Sequence, residues 1–277
     1  MGGKRQSTTD GASESVLAVR VKEALGMKVI FRADDLGMSE GINYGIAKAI
    51  SCGPIKSVGL MPNMPAASHG FDLVAASGVS VGQHTNICLG KPVSDPASIP
   101  SLVDEHGEFC SSRTIRARTE DTIVLEEAER EIQAQLDRFR ALTGRDPAYF
   151  EGHAVFSPTF FQALQNVAER NGLFYINPMD PVWSEKWGVV CAKPYHLDDR
   201  GLYDPRKYLF DDEADIACHA CSMLVFHPGY LDQYVLDHSS FTLIRPMETA
   251  FLVSEELEQW IEQKHVQLVN FENYCED

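Results

Sequence analysis

Strand-like and helix-like stretches alternate along this chain, and that alternation predicts an α/β fold built on a parallel sheet. Polar residues stand where several strand-like runs end, as they do at the carboxyl edge of such sheets. With 277 residues and 44% hydrophobic content, the chain can bury one large core of α/β barrel size. A single domain of seven or eight βα units is expected over residues 27–277, preceded by a tail and lead-in over residues 1–26.

Met27 to Arg32 reads as the first strand, and Asp34 and Asp35 fall where it runs out. Ser39 sits at a cap position before Glu40, Ile42, Ile46 and Ile50, a helical stripe that Gly53-Pro54 ends. Ser57 to Met61 and Val79 to His84 are the next strands. Lys91 to Arg113, rich in Pro, Ser and Asp, breaks the alternation, and long ordered loops of this kind serve as lids or substrate walls. Leu125, Ala128, Ile132, Leu136 and Phe139 give one apolar helical face. Ala148 to Glu151 is the fourth strand. Ser157-Pro158 then starts a helix that Asn171-Gly172 stops. Leu173 to Ile176 and Val189 to Cys191 are expected as strands. The irregular Asn177 to Pro181 between them, with Trp183 and Trp187, is expected to supply aromatic surface near the same edge. Met223 to His227 follows, then a helix capped by Ser254 and carrying Leu257, Trp260 and Ile261, and a last strand over Val266 to Val269.

The formal charge of -16, from 24 basic and 40 acidic residues, argues against a nucleic-acid or anionic-membrane partner and favours a neutral or cationic small molecule. No apolar stretch approaches the ~20 residues of a membrane span. Met1 to Ser15 is polar and lacks the apolar segment of a secretory signal, so a cytoplasmic protein is expected. The seven cysteines are scattered and odd in number, which suits reduced thiols. Cys218-His219-Ala220-Cys221 has the spacing of zinc and redox motifs but no second Cys pair, and it reads as chance placement before a strand. Oligomeric state is not legible and leaves room for a homo-oligomer.

Adjacent carboxylates repel, and a bound cation or a shared proton would offset the repulsion between Asp34 and Asp35; the plainer alternative is a turn in which one aspartate caps a helix. His84, His153 and His227 stand at three further strand ends. Each alone could simply bond a backbone carbonyl, but together with the aspartates they form a ligand set for a divalent metal that leaves positions open to water and substrate.

The run Arg32-Ala33-Asp34-Asp35-Leu36-Gly37-Met38-Ser39-Glu40-Gly41-Ile42-Asn43-Tyr44-Gly45-Ile46 closely resembles the opening signature of the YdjC-like (ChbG/HpnK) carbohydrate deacetylase family. Gly82-Gln83-His84-Thr85-Asn86 with Gly90-Lys91-Pro92-Val93 is similar to a second block. Pro100 to Asp104 with Gly107 and Phe109 resembles a lid. Phe226-His227-Pro228-Gly229-Tyr230 and Arg245 with Glu248 are similar to the last two blocks. One block departs from the pattern: Glu151-Gly152-His153-Ala154-Val155-Phe156 has one histidine where the family clusters several, so a supporting histidine is missing.

The resemblance implies a distorted (β/α) barrel that hydrolyses the acetamido group of an acetylated amino sugar, such as a chitin-derived oligosaccharide. By the match, Asp35, His84 and His153 would hold the metal, with zinc favoured by the two imidazoles and magnesium as the alternative. Asp34 would be the general base. His227 would be the general acid or an orienting group. Arg245 would hold Asp34 or a substrate oxygen, or else pair with Glu248. Two other readings share these residues: a metal-dependent hydrolase of a different amide or ester, and a non-catalytic carbohydrate-binding barrel.

Overall fold

The computed structural model describes residues 27–177 and 180–274. The expected tail over residues 1–26 lies outside the described residues, as do positions 178 and 179 of the second irregular stretch. The strands are β1 (Lys28–Leu36), β2 (Ser57–Leu60), β3 (Ser80–Thr85), β4 (Phe150–Gly152), β5 (Val190–Cys191), β6 (Cys221–Phe226) and β7 (Gln267–Leu268). Between and after them come α1 (Glu40–Cys52), α2 (Ala67–Val74), α3 (Ser112–Arg116), α4 (Leu125–Thr143) and α5 (Pro158–Asn171). The later helices are α6 (Pro181–Trp187), α7 (Pro205–Phe210), α8 (Gln233–His238), α9 (Ile244–Leu252) and α10 (Glu255–Gln263).

Every strand pair is parallel, and the order is β4-β3-β2-β1-β6-β5 with β7 also on β1. Since β6 lies along β1 from Lys28 to Ala33, β7 takes the other edge at Lys28 and Val29, before β2 joins at Arg32. The expected parallel sheet is therefore present, as a seven-stranded open barrel. The expected strand Leu173 to Ile176 is reduced to a single bridge between Tyr175 and Phe150. Few residues separate it from Asp180, which caps α6, so the chain leaves the wall before a ladder can form. Among the described residues no strand pairing closes the wall between this segment and β5.

The first strand runs further than its apolar residues suggest. It continues through Asp34 and Asp35 to Leu36, and all of it beyond Lys28 is buried. The reason lies in the strand's own alternation. Val29, Phe31 and Ala33 face α1 and α9, with Phe31 stacked on Phe226. Ile30 faces the opposite cluster with Tyr149 and Met223, and Arg32 follows it on that side, its guanidinium 5.4 Å from the Tyr149 ring centroid. Period two carries Asp34 to the same interior face.

Other expectations take definite form. Ser39 caps α1 by accepting from the Ile42 N–H at 3.2 Å, and the helix ends at Gly53. The Lys91 to Arg113 segment is held against α4: Glu131 accepts the Val93 and Ser94 N–H groups at 3.0 and 2.8 Å, and Glu127 that of Ser101 at 2.7 Å. It is a wall. The tryptophans do not form the expected aromatic surface. Trp183 is buried beside Phe174 and gives its indole N–H to the Tyr175 carbonyl, while Trp187 packs edge-on against Phe174. An indole with one polar group to satisfy is served well by that interior carbonyl. Among the described residues no helix is long and apolar enough to cross a membrane.

Candidate active site and metal centre

All strands being parallel, their carboxyl ends meet at one edge, and β4, β3, β2, β1 and β6 present Glu151, His84, Gly59, the Asp34-Asp35 pair and His227 there in turn. In a regular strand the two aspartates would point to opposite faces. The pairing of β1 with β2 shifts by one residue between Ala33 and Leu36, and Asp35 adopts a left-handed backbone with φ of 72°. This bulge re-aims Asp35 toward the centre that Asp34 also borders. His153 lies one residue past β4; its N–H extends the ladder to the Thr85 carbonyl at 2.8 Å, and a left-handed Ala154 turns the chain away after it.

The geometry brings Asp35, His84 and His153 together. Asp35 Oδ1 is 3.3 Å from His84 Nε2 and 3.2 Å from His153 Nδ1, and the two ring nitrogens are 2.8 Å apart. Asp35 Oδ1 is buried without a hydrogen bond. An orphaned carboxylate oxygen facing two imidazole nitrogens is the donor set of a divalent cation, and these three residues could hold one. Glu151 accepts from His84 Nδ1, so that a neutral His84 would offer its Nε2 lone pair on the side of Asp35. The carboxylate thus takes the supporting place that the sequence reading gave to an absent histidine.

Two guanidiniums offset much of the repulsion between the aspartates. Arg32 binds both oxygens of Asp34, with Nε at 2.7 Å from Oδ1, and reaches Glu151 at 3.3 Å. Arg245 donates to Asp35 Oδ2 at 2.8 Å. Of the protein partners expected for Arg245, this corrects two, since the carboxylate it holds is neither Asp34 nor Glu248, and its second terminal nitrogen, Nη1, is buried without a partner. Residue 245 sits on the first turn of α9, which packs on α1, and from there the fork reaches Asp35. Three carboxylates, Asp34, Asp35 and Glu151, face two guanidiniums, leaving room for added positive charge.

Burial alone would push Asp34 up, but Arg32 and His84 outweigh it and hold the carboxyl below its ordinary value. Burial likewise opposes ionisation of Asp35, yet Arg245 and His153 keep it well below. Burial disfavours a charged His153; Asp35 beside it wins and raises the ring to about 9. His227 goes the other way, lowered to about 4 chiefly by burial, and its Nδ1 is buried without a partner. The His227 N–H is accepted by Glu248, which also takes the Tyr203 hydroxyl and is raised by burial to about 7.

A cavity of about 250 Å³ opens over these groups, bordered by Asp34, His84, His153 and His227, with Phe156 and Tyr175 on its far side. A larger hollow of about 940 Å³ lies near Tyr195 and Arg200, but the convergent donors line the smaller one. The candidate site is that smaller cavity. Four contributors escaped the sequence reading. Arg32 was legible, two residues before Asp34 on the same face of the strand. Glu151 was seen only as a departure from a pattern. Glu248 was named only beside Arg245, and its contacts with His227 and Tyr203 were not read; Gly59 gave no signal of its own, although it leaves β2 as the one strand end in this row without a polar side chain.

Comparison with known proteins bears on the same residues. The family model of YdjC-like protein matches residues 28–263. The chain belongs to the YdjC-like family. A Listeria innocua protein named carbohydrate deacetylase 2 is 33% identical over 250 residues, covering 88% of this YdjC-like chain and 98% of the relative. A Geobacillus stearothermophilus carbohydrate deacetylase is 31% identical over 261 residues, covering 88% and 97%. Among solved structures, an Enterococcus faecalis V583 protein described as a candidate for cellobiose-phosphate cleavage superposes with a TM-score of 0.75 at 22% identity, over 89% of this chain and 98% of that one. That likeness establishes a shared fold.

Proposed function

We propose that this YdjC-like protein is a metal-dependent carbohydrate deacetylase that removes the acetyl group from an N-acetylated amino sugar. The observation that carries the reading is the convergence of Asp35 Oδ1, His84 Nε2 and His153 Nδ1 beside the ionised Asp34, in a chain whose relatives are named carbohydrate deacetylases. A divalent ion bound by those three residues would supply Lewis acidity toward the acetyl carbonyl and make water more acidic. Two imidazoles favour zinc over magnesium.

The protein's own groups have separable tasks. Arg245 holds one oxygen of Asp35 and so aims the other at the cation; Glu151 sets the His84 tautomer. Asp34, kept ionised by Arg32, takes a proton from the attacking water as its oxygen bonds to the acetyl carbon. His227 begins neutral, so it first receives that proton and then gives it to the amine as the C–N bond breaks, yielding acetate and a free amino sugar. The cavity, smaller than the about 300–1,000 Å³ of sites that engulf drug-sized ligands, suits the acetamido end of the substrate, the rest of the sugar lying outside. A cytoplasmic location is part of this proposal and is checked by cell fractionation.

The test is acetate release from N-acetylated chitooligosaccharides. Activity should stop on chelation, return with zinc, and be lost in Asp34→Asn. Undiminished turnover in the chelated protein would refute the reading.

A further inference from the structure

Residues 211–219, which lead from α7 into β6, form a turn with unusual internal order. Asp212 and Asp215 both adopt left-handed backbones, with φ of 56° and 54°. Such conformations are strained for a non-glycine residue and persist when neighbours determine them. Here Asp212 Oδ1 accepts the N–H groups of Ile216 and Ala217 at 2.9 and 3.2 Å, and the His219 N–H returns to the Ile216 carbonyl at 3.2 Å.

The turn gathers three different donors. Cys218 Sγ lies 3.6 Å from Asp215 Oδ1 and 3.5 Å from His219 Nε2. A tetrahedral centre with a metal–sulfur bond of about 2.3 Å and metal–nitrogen or metal–oxygen bonds of about 2.0–2.1 Å has sulfur-to-ligand edges of roughly 3.5 Å. The observed separations match those edges. The other carboxylate oxygen, Asp215 Oδ2, accepts from Lys193 Nζ at 2.8 Å, and the Lys193 N–H bonds the Ala214 carbonyl at 2.9 Å. Lys193 therefore turns the carboxylate so that Oδ1 faces the sulfur. Cys218 is exposed, so an ion can enter from solvent.

We infer that Asp215, Cys218 and His219 form a second metal site, at the entry to β6, for a thiophilic divalent cation of the zinc class. The donor set of one thiolate, one imidazole and one carboxylate selects against magnesium and calcium, which prefer all-oxygen shells. Three protein ligands leave the fourth position to water. On binding, the Cys218 thiol gives its proton to solvent and the metal–sulfur bond replaces the S–H contact with Asp215; no oxidant or reductant takes part. An ion there would cross-link the turn and, through Lys193, tie it to the chain leaving β5. The site is separate from the one at Asp35, since Cys218 and His219 precede β6 and His227 follows it.

Cobalt titration of the full, metal-stripped chain tests this, because thiolate–cobalt charge transfer absorbs in the near ultraviolet and the Asp35, His84 and His153 set contains no sulfur. The wild-type protein should develop that band and saturate it with one equivalent. Cys218→Ser and His219→Ala should lose the band and bind one cobalt fewer, with acetate release unchanged. Cys88 stands against the His153 ring, so Cys88→Ser serves as the control and should keep the band. The inference is overturned by absence of the band in the wild type, by its survival in Cys218→Ser, or by its loss in Cys88→Ser.

Discussion

Gly59→Ala is the most searching perturbation of this site, because it replaces neither a candidate ligand nor a titrating group. A Cβ at Gly59 would stand 2.8 Å from Asp34 Oδ1 and 3.0 Å from His84 Cβ. Ordinary contact needs about 3.5 Å, so these groups must yield by roughly 0.5–0.7 Å. Neither can do so alone: Asp34 is bound by Arg32 at 2.7 Å, and His84 is bound by Glu151. Overpacking of this kind costs about 1–3 kcal/mol, which for a chain of this size lowers Tm by roughly 2–10 °C. A misplacement of about 1 Å costs on the order of a hundredfold in rate, so a shift of about half that should lower kcat by about ten- to fiftyfold with little change in KM. Acetate release measured beside a thermal melt reads both effects. A folded Gly59→Ala protein with wild-type kcat would refute the argument that β2 must be bare for its neighbours to reach their positions.

Asp34→Asn should lower kcat by about 10²–10⁴ while metal content by elemental analysis stays at the wild-type level, which separates proton transfer from cation binding. Asp35→Asn should lose the metal and also destabilise the fold by about 3–5 kcal/mol, read by urea melts, because it strands the buried Arg245 guanidinium. The metal-free protein should be stabilised by protonated His153 below pH 6.5 and lose that contribution as pH rises toward about 9, since the folded ring is raised above its unfolded value. Protein loaded with zinc should show a flatter profile in that window, as the ring is then held unprotonated. Glu248→Gln should raise stability above about pH 7, where burial of an ionised Glu248 is costly, and leave it nearly unchanged near pH 4, as thermal melts across pH would show.

The parallel sheet and most helix ends were legible because local chemistry sets them: Ser39 accepts the Ile42 N–H, and Gly53 ends the stripe of Ile42 and Ile46. That the aspartates and histidines at the strand ends would meet was legible because parallel strands bring their ends to one edge, while the choice of Asp35, His84 and His153 among them came from the family resemblance. What the sequence reading missed depends on register. Hydrophobic pattern stops at Ala33, so the buried continuation of β1 through two charged residues could not be read from it. The choice of Asp35 over Asp34 as the partner of Arg245 was hidden because it turns on the bulge that re-aims Asp35. The fate of Leu173 to Ile176 turned on how soon α6 begins, which its own β-forming residues do not encode.

Two identical neighbouring side chains acquire different tasks here through a single irregularity of the main chain. The dipeptide Asp-Asp grafted onto an even strand would send one carboxylate inside and the other into the packing beneath α1. An insertion or deletion upstream in β1 would do the same. The convergence of Asp34 and Asp35 on one centre is thus a property of the kink between them and β2, and a designer copying this arrangement must transplant the kink along with the letters.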